Sequence, residues 1–268
     1  GRGSEFGYIL RRGAFERSLQ EEAADLGADV RYYPTFSTDG YDRVFIAEGA
    51  SGTVKKGLGM DESRPIDDFH MGVQYIGRGP EPDDHSIEVY ADDLVPGGYA
   101  WRFPTMVPGT RDSAIEVGLG VPLSMGADAW HILDKWIEKM GWRIDPVVRQ
   151  GHIIPTSHPQ RQHFHRAGRD FFILGDAAYL TNPVTGGGIH AALLSALYAV
   201  DGRGVPYSFR LQTRVLYRVK QKMLVMKAQE AAELIRKVGA NITYDGGPPY
   251  AKLISASRSI GSLIGLVV

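Results

Sequence analysis

One stretch of the sequence, GDAAYLTNPVTGGGIHAAL at residues 175–193, constrains most strongly what this chain can fold into. It follows the apolar run FFIL, which predicts a buried strand ending at Gly175, and it leads into IHAALLSALYAV, which predicts a packed helix. In an open α/β sheet, ligands bind where the strands end. Asp176 therefore stands where a carboxylate can accept hydrogen bonds from ligand hydroxyls, although an Asp that caps the next helix fits the same pattern.

Gly186, Gly187 and Gly188 form a bare backbone at the start of that helix. Without side chains, they allow a flat ring or a phosphate to approach closely. The first N–H groups of a helix have no partners within the helix, and its dipole is positive there, which suits an anion. A tight loop between two packed elements explains the same glycines.

The remaining segments predict a mixed architecture. A helix over 12–27 followed by a strand at ADVRYY, and a strand over about 43–47 followed by a helix start near Ser51, indicate an α/β layer. Alternating segments between Phe69 and Val121 predict antiparallel strands. ADAWHILDKWIEKMG predicts another helix, and a long amphipathic helix is expected over about 209–238.

Charge and composition exclude several classes of function. The 30 Lys and Arg residues are balanced by 31 Asp and Glu, which argues against binding nucleic acid through bulk charge, and the absence of cysteine excludes disulfides and thiolate chemistry. No apolar run approaches the roughly 20 residues that span a bilayer. We expect a cytoplasmic protein. Residues 1–6, GRGSEF, have the form of a cloning or tag-cleavage remnant.

Aromatic residues alternate in GYAWRFP at 98–104. Because Tyr99, Trp101 and Phe103 are two positions apart, a strand would place all three on one face. Such a wall suits a long apolar ligand. A strand that packs its aromatic residues into an ordinary core is an equally good interpretation of the spacing alone.

Together these motifs resemble the FAD-dependent reductases and hydroxylases that share the para-hydroxybenzoate hydroxylase fold. GYAWRFP followed by GLG at 118–120 is similar to the signature of one branch, the geranylgeranyl reductases. AEGASG resembles the family's Ala-Asp-Gly-x-x-Ser turn, with Glu48 in place of Asp and Gly52 in place of Ser. The resemblance implies FAD as the cofactor, and it implies these cofactor-binding residues: Arg12, Gly175, Asp176, Pro183, Gly186, Gly187, Gly188 and Ile189. It implies that Tyr99, Trp101, Phe103 and Pro104 bind substrate.

The implied fold is α/β. We expect a partial Rossmann-like FAD-binding domain at 7–66 and 151–201, a β-rich substrate domain at 67–150 and a C-terminal helical region at 202–268. The family's G-x-G-x-x-G helix entry, which holds the FAD pyrophosphate, has no counterpart in a suitable context in this sequence. We therefore expect that the chain is truncated at its N-terminus, or that native segments are absent from it.

The implied reaction is hydride transfer from reduced flavin to an isoprenoid double bond, followed by protonation of the adjacent carbon. The substrate would be a prenyl lipid or a prenyl diphosphate, and the electron donor NAD(P)H or ferredoxin. No residue is predicted as the proton donor. Three alternatives stay open: a flavin monooxygenase, a halogenase-like enzyme and a non-catalytic lipid-binding module. Halogenases carry a related Trp-x-Trp-x-Ile-Pro pattern, from which Tyr99 and Phe103 depart.

Two further features admit more than one interpretation. His152, His158, His163 and His165 cluster in sequence, and a polar, solvated loop is favoured there over a metal site because no acidic residue lies within the stretch. His190 can face a flavin or bond to a nearby carbonyl. The segment from Arg210 to Val238 carries eight Lys or Arg against two Glu, which is typical of a solvated helix face and also allows peripheral contact with an anionic membrane.

Overall fold

A computed structural model describes residues 10–32, 37–80 and 87–231, together with residue 233. The described part is a mixed α/β structure with two β-sheets. The helices are α1 (Arg12–Asp25), α2 (Thr53–Gly57), α3 (Ala129–Lys139), α4 (Ile189–Val200) and α5 (Tyr207–Met223). The strands are β1 (Arg43–Ile46), β2 (Phe69–Arg78), β3 (Glu88–Tyr90), β4 (Tyr99–Met106), β5 (Ser113–Pro122), β6 (Asp145–Pro155), β7 (His163–Arg166) and β8 (Arg169–Ile173).

The smaller sheet has the strand order β1-β8-β7. β1 runs parallel to β8, so that Ile46 lies beside Ile173, and β7 pairs antiparallel with β8. Phe171 and Ile173 are buried in the core that α4 covers through Ala191. The carboxyl ends of β1 and β8 therefore lie side by side, which brings the turns after Ile46 and Ile173 to one edge of the sheet.

The larger sheet is antiparallel, with the order β3-β4-β5-β2-β6. One face packs against α3, where Leu133 and Trp136 are buried against Val117 and Leu119 of β5. Alternation along the strands leaves Tyr99, Trp101 and Phe103 on the other face. The expected antiparallel strands are confirmed, and the sheet continues to Pro155, beyond the predicted domain boundary at 150, which stays a prediction.

Two predicted elements are wrong. ADVRYY is not a strand over its described residues 28–32, because a strand exists only when it is paired, and α1 beside it buries none of its residues. The long amphipathic helix is interrupted, because α5 ends at Met223, a turn follows over 224–226, and helical structure resumes over 228–231. At that point Leu224 comes close to Gly97, and the chain changes direction. The expectations for residues 1–6 and for residues beyond 233 lie outside the described residues.

Helix α5 differs from a uniformly solvated basic helix. Lys220, one of its cationic residues, is buried, while Arg214 and Arg218 are exposed one turn apart. Within the part of the chain that the structure describes, no helix combines the length and the apolar character needed to cross a membrane.

Candidate functional site

The turn after β8 begins with two residues that the sequence singles out. Gly175 has φ +52°, and a Cβ there would lie 3.0 Å from the Cβ of Ala192 on α4, so glycine allows the strand end to approach the helix. Asp176 follows in a short 3-10 turn, Gly175–Ala178, and its carboxylate accepts a 2.8 Å hydrogen bond from the Thr181 hydroxyl. The carboxylate is thus held beside the start of α4.

Asn182 shapes the glycine loop, which comprises residues 182–188, although this role was not predicted from the sequence. Its side-chain oxygen accepts hydrogen bonds from the backbone N–H groups of Val184 and Thr185, and its backbone exchanges bonds with Gly186 and Gly187. The signal was present in the sequence, because Asn commonly closes such turns with its own side chain.

The loop has no room for side chains at its end. Gly186 has φ +69°, and a Cβ on Gly188 would lie 2.7 Å from an Asp176 carboxylate oxygen. Gly188 is the N-cap of α4, and no side chain among the described residues caps that end. Ile189 is the first residue of α4. The end of the loop therefore combines backbone without side chains and an uncapped helix N-terminus, an arrangement that suits binding of a flat, electron-rich ring.

The aromatic side chains form a continuous wall along β4. The ring centroids of Tyr99 and Trp101 are 5.9 Å apart, and those of Trp101 and Phe103 are 6.1 Å apart. Trp101 lies flat over Gly118 of β5, where a Cβ would come within 2.5 Å of the indole ring. Pro104 belongs to the alternate set of β4 positions and does not line the cavity described next.

The wall and the glycine loop face each other across a cavity of about 200 Å³. The Tyr99 hydroxyl donates a hydrogen bond to the backbone carbonyl of Thr185. The cavity lining includes the three aromatic residues of β4 together with Pro183, Val184, Thr185 and Gly186. The structure thus brings together five of the residues predicted to bind cofactor or substrate, namely Tyr99, Trp101, Phe103, Pro183 and Gly186.

Arg12 is not among the residues that line this cavity. It lies at the exposed start of α1, where its side chain pairs with Glu16 at 2.5 Å. Two residues of the loop, Gly187 and Gly188, are outside the cavity lining, as are three residues next to it, Gly175, Asp176 and Ile189.

Two buried polar residues of the cavity, His70 and Lys220, went unnoticed in the sequence. His70 Nε2 lies 3.0 Å from the Gly97 carbonyl and Nδ1 lies 2.8 Å from the Thr156 hydroxyl. Because a carbonyl only accepts, Nε2 carries the proton, and Nδ1 is the acceptor nitrogen of the neutral ring, beside a Thr156 hydroxyl that also lies 3.2 Å from the Asp68 carbonyl. Burial lowers the pKa of His70 to about 4, so the imidazole is neutral at pH 7.

Lys220 reaches the cavity from α5. Its ammonium donates a hydrogen bond to the Asp67 carbonyl, and its burial lowers the pKa of the amine against the opposing effect of the Asp68 and Asp67 charges. Asp68 helps to fix the position of α5, because its carboxylate accepts a 2.7 Å hydrogen bond from Tyr217 of that helix and another of 2.7 Å from Ser157. Lys220 comes from a distant segment, so no local pattern could have pointed to it.

Two other titratable groups complete the cavity. Burial raises the pKa of Glu116, which lies opposite Phe103 on β5. It also raises the pKa of Tyr99 to about 12. Burial thus shifts the pKa of Glu116 and Tyr99 toward the neutral form, whereas the charges of Asp68 and Asp67 oppose that effect at Lys220.

The turn after β1 explains why Glu48 and Gly52 differ from the pattern that AEGASG resembles. The Glu48 carboxylate accepts hydrogen bonds from the backbone N–H groups of Val54 and Lys55 at 2.6 and 2.8 Å, which caps α2. Gly52 has φ +65°, a conformation that favours glycine over serine. Lys55 then donates a 2.7 Å hydrogen bond to Ala177 and so ties this turn to the one that carries Asp176.

Three of the histidines around 152–165 contact acidic or basic side chains. His163 and His165 both contact the same Asp170 carboxylate oxygen at 2.9 Å, and His158 contacts Arg64. Among the described residues, no group of three or more His, Cys, Asp or Glu side chains could hold a metal ion. His190 packs edge-on against Phe209, with ring centroids 6.4 Å apart.

Comparison with known proteins supports the interpretation of the large sheet. Residues 68–154 match the family model described as the geranylgeranyl reductase catalytic domain. This segment contains the aromatic wall, His70 and Glu116, but neither the glycine loop nor Lys220. The resemblance recognised in GYAWRFP is therefore confirmed for the residues that match this model.

Two curated relatives carry the name digeranylgeranylglycerophospholipid reductase. The protein from Methanospirillum hungatei is 29% identical over 227 residues, a match that covers 74% of this chain and 54% of the relative. The protein from Methanothermobacter thermautotrophicus is 26% identical over 260 residues, covering 87% of this chain and 65% of the relative. The chain thus spans a little over half to two thirds of these relatives.

A solved structure shows the same fold. A geranylgeranyl bacteriochlorophyll reductase-like protein from Thermoplasma acidophilum superimposes with a TM-score of 0.71 at 20% identity, and the match covers 98% of this chain and 77% of that one.

Proposed function

We propose that this chain, whose residues 68–154 match the model of the geranylgeranyl reductase catalytic domain, acts as an FAD-dependent reductase that saturates isoprenoid double bonds of a prenyl lipid or prenyl diphosphate. The observation that carries the proposal is the shared cavity. The aromatic wall of β4 and the glycine loop before α4 line one space and are joined by the bond from Tyr99 to Thr185.

The residues at the loop fit the flavin half of FAD. Gly186 to Gly188 leave the backbone bare for a flat ring, and the uncapped start of α4 offers N–H groups to the electron-rich pyrimidine side. The Asp176 carboxylate can accept hydrogen bonds from ribityl hydroxyls. When bound, reduced FAD would supply the hydride. Arg12, if it serves the cofactor, must first break its pair with Glu16.

The cavity wall fits an apolar chain. Tyr99, Trp101 and Phe103 offer three rings in a row, and Gly120 opposite Tyr99 has open space where a side chain would be. Relatives named digeranylgeranylglycerophospholipid reductase support a lipid with geranylgeranyl chains as the substrate class. The chain's own task is to hold one double bond against the loop and to exclude water from it.

The test is an anaerobic assay of the chain with FAD reduced by dithionite and a geranylgeranyl lipid. We expect mass spectrometry to detect a gain of two hydrogens per saturated double bond, and we expect Trp101→Ala to abolish it. Tyr32→Ala, a change of an exposed aromatic residue of another segment, serves as the control.

The same preparation separates the alternatives. Oxygen-dependent oxidation of NAD(P)H with aromatic substrates would indicate a monooxygenase instead. Binding of the prenyl lipid with no flavin spectrum after mixing with FAD would indicate a lipid-binding module. The natural electron donor, NAD(P)H or ferredoxin, can be identified by replacing dithionite with each in turn.

Contact with a membrane surface would deliver such a lipid, and we include it in the proposal. Arg214 and Arg218 are exposed one turn apart on α5. We expect more of the chain to sediment with liposomes that contain anionic lipid than with neutral ones, and we expect Arg214→Glu with Arg218→Glu to abolish that difference. Equal sedimentation with both liposomes would remove this part of the proposal.

A further inference from the structure

Saturating a carbon–carbon double bond requires a proton as well as a hydride, and the sequence offered no donor. Resting on the proposed function, we propose that the Lys220 ammonium group is the catalytic acid that delivers this proton. Among the residues that line the cavity, Lys220, His70, Tyr99 and Glu116 are the candidates.

Packing places Lys220 beside the loop. Leu216, Val219 and Met223 on α5 form a buried cluster with Val184, which belongs to the loop. Lys220 follows Val219 and, like Met223, lines the cavity together with Val184 and Gly186. A change of helix position large enough to withdraw the ammonium would have to break this apolar contact.

The ammonium has donor capacity beyond its structural bond. One of its three N–H groups donates to the Asp67 carbonyl, and this is the hydrogen bond to Nζ found among the described residues. The Asp68 carboxylate is already committed to Ser157 and Tyr217. The other N–H groups are therefore available to a molecule in the cavity.

The surroundings of Lys220 favour release of a proton. Burial makes the charged form less stable and lowers the pKa of the amine, while the charges of Asp67 and Asp68 limit that effect. His70 on β2 and Tyr217 on α5 are the other titratable groups that face it. An amine with a pKa nearer to neutrality is a better general acid than an exposed lysine.

The neighbouring groups are poorer acids for this position. The Tyr99 hydroxyl donates a hydrogen bond to the Thr185 carbonyl, and burial raises the pKa of Tyr99 to about 12. His70 is neutral, and its single N–H is bonded to Gly97. Glu116 lies opposite Phe103, four residues along β4 from Tyr99, which is ~13 Å at the rise of an extended strand.

The proposed step balances in atoms and electrons. One carbon of the double bond takes the hydride that reduced flavin supplies, and its neighbour takes a proton from Lys220 Nζ. The π electron pair forms the new bond to that proton, and the electrons of the broken N–H bond stay on nitrogen. Lys220 is left as a neutral amine, which regains a proton from water after the product leaves.

The first test compares variants of Lys220 in the anaerobic assay. Lys220→Arg keeps a cation and a donor for the Asp67 carbonyl, but a guanidinium does not release its proton in proteins. We expect it to bind FAD and prenyl lipid normally and to saturate the double bond at least ~100-fold more slowly. Lys220→Ala should regain activity when small primary amines are added. Lys227→Arg, which is exposed, is the control.

The second test does not depend on turnover. Nitrogen-15 spectra of the lysine side chains, with the Lys220 signal identified by its loss in Lys220→Arg, should show that the pKa of buried Lys220 is below that of the exposed lysines. The signal should move when a geranylgeranyl lipid is added. A Lys220 signal that titrates with the exposed lysines and ignores the lipid would overturn the assignment.

The outcomes distinguish the two proposals. Suppose that the unaltered chain saturates the lipid. The assignment of Lys220 is then wrong, and the proposed function stands, if Lys220→Arg works within a few-fold of the unaltered rate or if amines fail to rescue Lys220→Ala. If the unaltered chain with bound FAD saturates no double bond, the proposed function is wrong and the role of Lys220 falls with it.

Discussion

At the scale of single residues, two glycines of β5 that are two positions apart differ in the space around them. A Cβ on Gly118 would lie 2.5 Å from the Trp101 ring and 2.6 Å from the Val73 carbonyl, whereas a Cβ on Gly120 would meet no atom within 4 Å. Gly118 is thus needed for packing. Gly120 lines the cavity and leaves space in it.

This contrast predicts opposite effects for the same substitution. Gly118→Ala should destabilise the fold by about 1 to 3 kcal/mol, because the new methyl group overpacks against backbone and indole. Gly120→Ala should leave thermal unfolding unchanged and should weaken binding of a prenyl lipid. Equal melting temperatures for the two variants would contradict the packing described for Trp101.

His70 predicts a pH dependence of stability. Its pKa is about 4 in the folded chain and 6.5 when exposed, so the unfolded chain binds the proton more readily between these values. Stability is therefore full above pH 6.5 and falls as the pH decreases to 4, by up to about 3 kcal/mol. Urea unfolding at several pH values measures the slope, and His70→Gln should flatten most of it.

At the scale of elements, the turns after β1 and β8 are held together by one buried side chain. Lys55 lies beneath the Tyr179 ring at 3.8 Å, pairs with Asp61 at 3.0 Å and donates to Ala177. Tyr179 itself has φ +57°, an unusual conformation for a non-glycine residue. The lysine thus braces the turn that carries Asp176.

Replacing Lys55 should lower the stability of the fold. Lys55→Met removes the buried cation that pairs with Asp61 and donates to Ala177, so that only Tyr179 and Gln160 still donate to these acceptors, and we expect a loss of about 2 to 4 kcal/mol in the free energy of unfolding. Lys56→Met, at the exposed neighbouring position, is the matched control and should change stability little. Chemical denaturation of both variants provides the comparison, and similar midpoints would show that the turns are held by other contacts.

At the scale of the whole molecule, the cavity has walls from the larger sheet, from the loop that follows the smaller sheet, and from α5. A ligand that fills it contacts all three parts in the folded chain and none of them in the unfolded chain. A prenyl lipid at 100 times its Kd should therefore raise the free energy of unfolding by about 2.7 kcal/mol. Trp101→Ala should lose most of that gain, whereas an equal gain would mean that the lipid binds elsewhere.

Local patterns were sufficient for much of the fold. The apolar run before Gly175, the helix after Gly188 and the alternation in GYAWRFP each predict an element that the structure contains, because strand and helix periods are properties of neighbouring residues. ADVRYY failed because an extended segment becomes a strand only through pairing, which its own letters do not specify. Asn182 was missed even though its turn chemistry is local.

The sequence by itself determined most of the elements, the one-sided aromatic wall and the bare glycine loop, since each depends on residues close together in the chain. Only the tertiary structure decided that the wall and the loop share one cavity, and that Lys220 and His70 enter it. Their approach depends on the packing of α5 against Val184 and on the bonds that Asp68 makes across the fold. Burial, which alters the protonation of both residues, exists only once those distant segments have come together.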